Sequence, residues 1–391
     1  MLSVDEVWAL IDREIKARPE EPCPLAESFG RRLAEDVRAD EDQPAFTRSA
    51  IDGFVVPEGS RSGRFRIVGE VRPGEPASTR ILAQDETMKI FTGSALPDSG
   101  VALVMVEDAQ IEEGQVTFSA EARTELLRHR GAQARAGEIL LSAGHRVEAG
   151  TIALMASVGR AEPRVSPQIT ATHFASGSEL VPVSENPPPG CIRDSNSPLV
   201  AALLAEAGAK RIHHVCGTES VEVAVKNLEL LDADILLISG GASVGAHDGT
   251  AEILRRLGFK IHCAKVKSRP GKPLIFATKG AQAAFGLPGN PLSHFVCFQL
   301  FVRRVIDRMA GFSPRSLVQV QLSGTRPPAD ARETWWPARV GAVSGCLVAS
   351  ALSWRDSSDL TGLPAANALL RIPSGETNEL VDALLFGTLE T

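Results

Sequence analysis

Four loop segments of this 391-residue chain collect the residue types that grip an anion. The run KVKSRPGKP brings Lys265, Lys267, Arg269 and Lys272 together in a chain whose 41 Lys and Arg are outnumbered by 48 Asp and Glu. An extended backbone alternates its side chains, so Lys265, Lys267 and Arg269 share one face before Pro270 and Gly271 turn the chain at Lys272. One such cation about 4 Å from a bound anion contributes roughly 4 kcal/mol at an effective dielectric of ~20, enough to define an anion site. Exposed lysines on a hairpin are the plain alternative.

DILLISGGASVGAHD runs from a strand pattern into a helix. Its Gly240, Gly241 and Gly245 let main-chain amides approach a ligand, while Ser239 and Ser243 offer hydroxyls. It matches neither GxGxxG nor GxxxxGK[ST], so neither a dinucleotide fingerprint nor a P-loop is supported. GLPGNPLS ends a strand pattern at Pro288, Gly289 and Asn290, with Pro291 near the first helical position. Free helix-start amides, Asn290 and Ser293 would then point at one spot, a second oxyanion cradle. ITATHFASGSEL ends a strand in small residues and can hold the Glu179 carboxylate over the sheet. Asp234 opens a strand and Asp248 precedes a helix, where turn or capping roles compete with chemistry.

The elements that must position these loops follow from hydrophobic periodicity. From Ile169 to Met309, runs rich in Ile, Leu and Val (ITATHF, RIHHVCG, DILLIS, LIFAT, AAFGL) are interspersed with helices at Ser197 to Ala207, Glu219 to Leu231 and through AEILRRL. That pattern indicates a parallel sheet covered on both faces, closed by a final helix over PLSHFVCFQLFVRRVIDRM. Ligands of such sheets bind beyond the carboxyl ends of the strands, where all four loops lie. Upstream, Val4, Val7, Trp8, Ile11 and Ile15 form a helical stripe ending before Pro19. Residues 44–120 read as short β runs, FRIVGEV, TMKIFTG and VALVMVEDA, and GTIALMASVG returns to helix. The predicted domains are a discontinuous helical one (1–43 plus 121–167), an inserted β module (44–120), an α/β domain (168–311) and a C-terminal β domain (312–391).

A formal charge of -7 argues against a nucleic-acid partner. The acidic start MLSVDEVWALIDREI and the lack of an apolar run of roughly 18 residues favour a soluble, cytoplasmic chain with no membrane partner. The six cysteines show no CxxC pair and the eight histidines no HxxxH or HExxH spacing, so they are read as packing residues, and a His-based metal site is not expected.

SGSEL, DSN at Asp194 to Asn196, SGGASVG with Asp248, RPGKP and GLPGNPLS occur in the order found in the MoeA family, the molybdopterin molybdenumtransferases that include the gephyrin E domain. SAIDGF at Ser49 to Phe54 resembles that family's SAMDGY. FTGSALPDSGVALVMVEDA and ANALLRIPSG extend the likeness over essentially the whole chain.

The resemblance implies a multidomain α/β homodimer. Its parts are a MogA-like, parallel-sheet molybdopterin-binding domain, a helical N-terminal domain, an inserted β module and a C-terminal β-barrel-like domain, with the site between one subunit's α/β domain and its partner. It further implies the reaction of adenylylated molybdopterin with molybdate to give molybdenum cofactor and AMP, with Mg2+ present and an adenylyltransferase as a possible supplier. By motif, Asp52, Thr92, Glu179 and Asp234 fall on positions tied to activity, with Asp52, Glu179 and Asp234 as implied Mg2+ ligands. Lys265, Arg269, Lys272, Ser293 and Ser358 fall on anion or molybdate positions.

Departures from the family pattern are Arg48 for Asn, Ser178 for Asp, Arg269 for Lys, Gln133 for an acid and Pro337 for Arg. Arg269 keeps its charge and adds a planar fork. Lost acids favour a second reading, a protein that holds molybdopterin or finished cofactor without turning it over. A nucleotide-binding oxidoreductase is a third, disfavoured by the missing GxGxxG.

Overall fold

The computed structural model describes residues 1–217, 220–240, 246–328, 330–374 and 379–389, the side chains of 246–248 aside. Two compact units emerge, one of residues 1–21, 30–32 and 165–391 and the other of 22–29 and 33–164.

Helix α1 (Val4–Glu14) starts at a capping box, in which the Ser3 hydroxyl takes the Glu6 amide and the Glu6 carboxylate takes the Ser3 amide. Its buried stripe of Val4, Val7 and Ile11, with Ile15 just beyond, packs into the core of the first unit. The helical domain expected over 1–43 plus 121–167 is therefore divided, because the apolar face of α1 is covered by the α/β domain.

The second unit is built on a six-stranded sheet of β1 (Gly53–Pro57), β2 (Gly63–Val71), β3 (Glu86–Ile90), β4 (Val101–Met105), β5 (Ala109–Glu112) and β6 (Gln115–Phe118). Their order is β4-β1-β3-β2-β6-β5, antiparallel except where β2 runs parallel to β3. All six strands lie inside the span read as an inserted β module. Within residues 121–167 the described α-helix is the nine-residue α2 (Ala149–Ser157), so the helical character expected there is largely replaced by loops and strands of two or three residues.

The first unit resumes with β7 (Thr170–Ser176), α3 (Asn196–Glu206), β8 (Lys210–Gly217), α4 (Val221–Leu228), β9 (Ile235–Ser239), α5 (Ala246–Arg256), β10 (Lys260–Cys263), β11 (Ile275–Lys279) and β12 (Gln282–Leu287). The sheet order is β8-β7-β9-β12-β11-β10. β8, β7, β9 and β12 are parallel, as the near-continuous apolar runs require. The edge differs from the all-parallel expectation. The two-residue link between β11 and β12 can close only a hairpin, so β11 is antiparallel to β12 and β10 to β11.

One face of the sheet is covered by α4 and α5. The other is covered by α1, α3 and the long C-terminal helix, which runs as α6 (Pro291–Cys297), a π segment (Phe298–Val302) and α7 (Arg303–Met309).

The C-terminal strands are β13 (Val318–Ser323), β14 (Glu333–Val343), β15 (Cys346–Ala351), β16 (Ala368–Ile372) and β17 (Leu380–Leu385). They pair as β14-β15-β13-β17-β16, and β16 returns to β14, closing a five-stranded barrel that leaves no open edge within the ring. Trp335 of β14 is fully buried and meets Trp8 of α1 edge-on, with centroids 5.8 Å apart. The Trp8 indole donates to the Leu300 carbonyl at 2.8 Å. α1, the long helix and the barrel thus share one core. No helix among the described residues is long and apolar enough to cross a membrane.

Trp335→Ala is expected to remove about 3–5 kcal/mol from the first unit, the cost of emptying a buried aromatic site. Urea denaturation followed by tryptophan-independent circular dichroism checks this, and an unchanged midpoint contradicts the shared core.

Candidate functional site

The parallel register aligns three strand ends: Ala175 of β7 sits opposite Ser239 of β9, and Ser239 opposite Leu287 of β12. The loops that follow are those carrying Glu179, Gly240 and the Pro288-Gly289-Asn290 turn, so the sheet itself gathers them at one edge.

Gly240 explains the close packing there. Its φ is +134°, and a Cβ on it would stand 2.1 Å from the Ser176 carbonyl oxygen, so any side chain would drive the β9 loop off the end of β7. Gly241 and Ser243 lie outside the described residues, as does the side chain of Asp248.

The KVKSRPGK run is pinned on both sides. Lys267 donates its amide to the Leu2 carbonyl at 2.7 Å, and Ser268 and Arg269 lie parallel to Glu333 and Thr334 of the barrel. The expected alternation holds, since Val266 and Ser268 are fully buried while Lys265 and Lys267 are exposed and Arg269 is half-buried. The turn depends on Gly271, at φ +96°, where a Cβ would meet the Cys297 sulfur at 2.5 Å.

Arg269, Lys272 and Ser293 face one hollow of about 460 Å³. Pro288, Gly289 and Asn290 also line it. Two further cations missed in the sequence, Arg332 and Arg355, complete its wall. They come from barrel loops remote in the chain, and no local motif marks them. Arg269 is held between the Asp330 carboxylate, 2.7 Å from its guanidinium, and the Trp354 ring, whose centroid lies 5.2 Å away. Asp330 also stands 3.5 Å from Arg332. The Arg332 amide, then the Arg269 guanidinium, hold the Asp330 carboxyl below the usual carboxylate range, against slight burial. Lys272 and Arg355 have no ion-pair partner among the described residues.

A second hollow of about 350 Å³ adjoins the first and shares Gly240, Gly289 and Asn290 with it. Glu179, Ser239 and Ser358 line this one, as do Asp194 and Asn196. Ser358 therefore belongs to the second hollow rather than to the cation-lined one. Its hydroxyl and amide are both turned onto Asp356, at 2.5 and 2.8 Å. Lys265 lines neither hollow.

The free helix-start amides expected after Asn290 are not free. The Leu292 and Ser293 amides donate to the Ser357 carbonyl at 3.1 and 3.3 Å, and the Asn290 amide nitrogen donates to the Ser357 hydroxyl at 2.6 Å. The barrel loop satisfies donors that the helix leaves orphaned. The positive character of the hollow therefore comes from its side chains.

Asp234 is not brought to this edge. It precedes β9 at the opposite, amino end of the sheet, about 17 Å of strand from Ser239 at ~3.3 Å per residue. There its carboxylate pairs with Arg18 and accepts from the Thr170 amide and hydroxyl, both at 2.9 Å. In the second unit, Asp52 accepts from the Thr92 amide at 2.7 Å and the Thr92 hydroxyl at 3.1 Å, so these two motif residues form one cluster.

Comparison with known proteins supplies the family. Residues 2–159 match the model of the MoeA N-terminal region (domains I and II), 173–308 that of a probable molybdopterin binding domain, and 319–386 that of the MoeA C-terminal region (domain IV). The molybdopterin molybdenumtransferase of Bacillus subtilis is 33% identical over 98% of this chain and 94% of its own length. The chain belongs to the MoeA family.

Membership makes it a transferase of molybdenum cofactor biosynthesis. The molybdopterin molybdenumtransferase of a Nostoc species is 32% identical over 89% of this chain and 84% of its own. A molybdopterin biosynthesis MoeA protein from Pyrococcus horikoshii shares the fold, with a TM-score of 0.73 at 23% identity over 99% of this chain and all of that one.

Against the MoeA pattern, Pro337 occupies a buried barrel-strand position and lends its carbonyl to the Leu352 amide at 3.0 Å. Gln133 donates its main-chain amide to the Gln43 carbonyl at 2.8 Å, Arg48 pairs with Arg128 in a short ladder, and Ser178 is exposed beside Glu179.

Two buried histidines brace the strand ends. His173 lies 2.6 Å from the Ser239 hydroxyl, and His294 lies 3.1 Å from the Pro288 carbonyl. Burial pushes His173 down to about 2, with His294, His214 and Arg211 adding to it. Burial likewise pushes His294 down to about 4, against the Pro288 carbonyl and Asp194. Folded, both stay neutral well below 6.5, whereas the unfolded chain takes up protons there. Their contribution is complete above pH 6.5 and is lost as the pH falls, about 2 kcal/mol per histidine between pH 7 and 5. The urea midpoint of His173→Gln is expected to fall less steeply than wild type over that interval. Parallel slopes contradict the assignment.

Proposed function

We propose that the chain is a molybdenum insertase, converting adenylylated molybdopterin plus molybdate into molybdenum cofactor and AMP. It would act as a cytoplasmic homodimer with Mg2+ present, its adenylate coming from an adenylyltransferase. The observation that carries this reading is the convergence of Arg269, Lys272 and Ser293 on one hollow, joined by Arg332 and Arg355.

A tetrahedral oxyanion such as molybdate suits the cation-lined hollow, because fixed charges that need no reorganisation stabilise an anion more than water does. The adjoining hollow, with Glu179, Ser239 and Asn196, offers acceptors and donors for a pterin edge and leads past Asn290 toward the cations. Ligands in the two hollows would meet at Gly240, Gly289 and Asn290. The dithiolene sulfurs that capture the metal belong to the substrate, so the protein supplies position and charge and no nucleophile. In phosphoanhydride cleavage an oxygen from water or the metal oxyanion adds to one phosphorus while the bridging oxygen leaves with the other.

Mg2+ takes oxygen ligands, commonly one or two carboxylates with substrate phosphates, and would supply charge neutralisation at those phosphates. The exposed carboxylates of Asp52 and Glu179 fit that demand. Asp234 does not, since its oxygens are committed to Arg18 and Thr170. The implied homodimer has its site between one subunit's α/β domain and its partner.

Purified protein incubated with adenylylated molybdopterin, Mg2+ and molybdate is expected to release AMP and form cofactor. Asp52→Ala and Glu179→Ala should abolish this with the fold intact, and Lys272→Ala should raise the molybdate concentration needed for half-maximal rate. Tight pterin binding without AMP release would instead support the holding or delivery role that Ser178 and Gln133 raise, and unchanged kinetics in all three variants would overturn the site.

A further inference from the structure

The same sheet edge carries a cluster whose histidine and cysteine the proposed reaction leaves unused. His214 and Cys216 are two residues apart on the edge strand β8 and therefore face one side, in register with His173 and Ala175 of β7. The Cys216 sulfur lies 3.3 Å from the His214 Nε2, and with a carboxylate oxygen of Asp194 the three ligand atoms fall within 4.8 Å of one another. No other group of three or more His, Cys, Asp or Glu among the described residues gathers its ligand atoms in this way.

Two of the three ligands are held by further contacts. The His214 ring stacks on His173, with centroids 5.1 Å apart and planes 22° from parallel. Asp194 accepts from the Ser197 amide at 2.9 Å and from the Ser197 hydroxyl, and its oxygens keep further lone pairs. A hollow of about 540 Å³, lined by Leu180, Val183 and Pro198 as well as the three ligands, opens onto the cluster.

We propose that Asp194, His214 and Cys216 form an open three-ligand site for a borderline divalent d-block cation of the Zn2+ class. The donor set decides the class: Mg2+ and Ca2+ prefer oxygen alone, whereas one nitrogen, one sulfur and one oxygen suit Zn2+, with a fourth position open to water or ligand. An imidazole offers a neutral nitrogen lone pair to a cation, and the geometry already turns the His214 Nε2 toward the Cys216 sulfur. A bound cation would deprotonate the Cys216 thiol, the proton leaving to solvent. Thiolate and carboxylate then offset the two charges of the ion. Asp194 also lines the second hollow, so the ion would sit at the rim of the ligand cleft. Searches for helical or CxxC spacing miss the site, since two ligands lie at i and i+2 on a strand and the third on another loop. It does not depend on the insertase reading.

The test uses the full chain freed of metal by chelation. Zn2+ titrated against a colorimetric chelator is expected to bind tightly at one per chain, and Co2+ to give a thiolate-to-metal charge-transfer band in the near ultraviolet. Cys216→Ser should abolish the band. His214→Ala should weaken Zn2+ by more than the roughly 10–100-fold that loss of an outer-shell partner costs. Cys346→Ser, at the other exposed cysteine, should change neither. Both ligands are exposed, so wild-type circular dichroism is expected in every variant. Absence of tight Zn2+ binding, or binding that survives both Cys216→Ser and His214→Ala, overturns the site.

Discussion

Cations held around a hollow repel one another, and in a chain with more acids than bases they are also exposed to neutralisation by the protein's own carboxylates. The structure sets acids among the four cations: Asp330 bridges Arg269 and Arg332, Asp359 stands beside Arg355, and Asp356 accepts from the Ser358 amide and hydroxyl. Lys272 has no ion-pair partner among the described residues, while Arg355 stands beside Asp359, which accepts from its amide at 3.1 Å and whose carboxyl its charge helps to lower. The Trp354 face carries part of the burden on Arg269, a cation–π contact in place of a second carboxylate. An excess of fixed positive charge is what the remaining architecture has to support.

That support is shared between two domains of one unit. The sheet delivers Gly240 and the Pro288-Gly289-Asn290 turn, and the barrel delivers Arg332, Trp354 and Arg355. The join is the Ser357 carbonyl on the Leu292 and Ser293 amides, reinforced by Asn290 on the Ser357 hydroxyl. A cost follows from this arrangement. Helix amides that could have faced an anion are spent on fixing the barrel loop, and side-chain charge takes their place.

Much of this was legible in the sequence wherever local pattern determines the outcome. Continuous Ile, Leu and Val runs marked the parallel strands, the alternation of 265–269 fixed which residues face out, and the loops at the strand ends were placed by topology. Arg332 and Arg355 were not legible, because nothing local distinguishes a barrel-loop arginine from a solvated one. The antiparallel edge was obscured by apolar content, which reports burial and not direction. Asp234 illustrates the same limit: a carboxylate beside a strand can cap either end, and its pairing with Arg18 depends on a contact across 216 residues. The stripe of α1 announced a buried face but not which surface would cover it.

The most direct measurement is a crystal soaked with molybdate and AMP, with anomalous scattering used to locate the metal. The account predicts a tetrahedral anion in the hollow bounded by Arg269, Lys272 and Ser293, with Arg332 and Arg355 turned toward it. Molybdate bound elsewhere while that hollow stays empty at saturating concentration would contradict it.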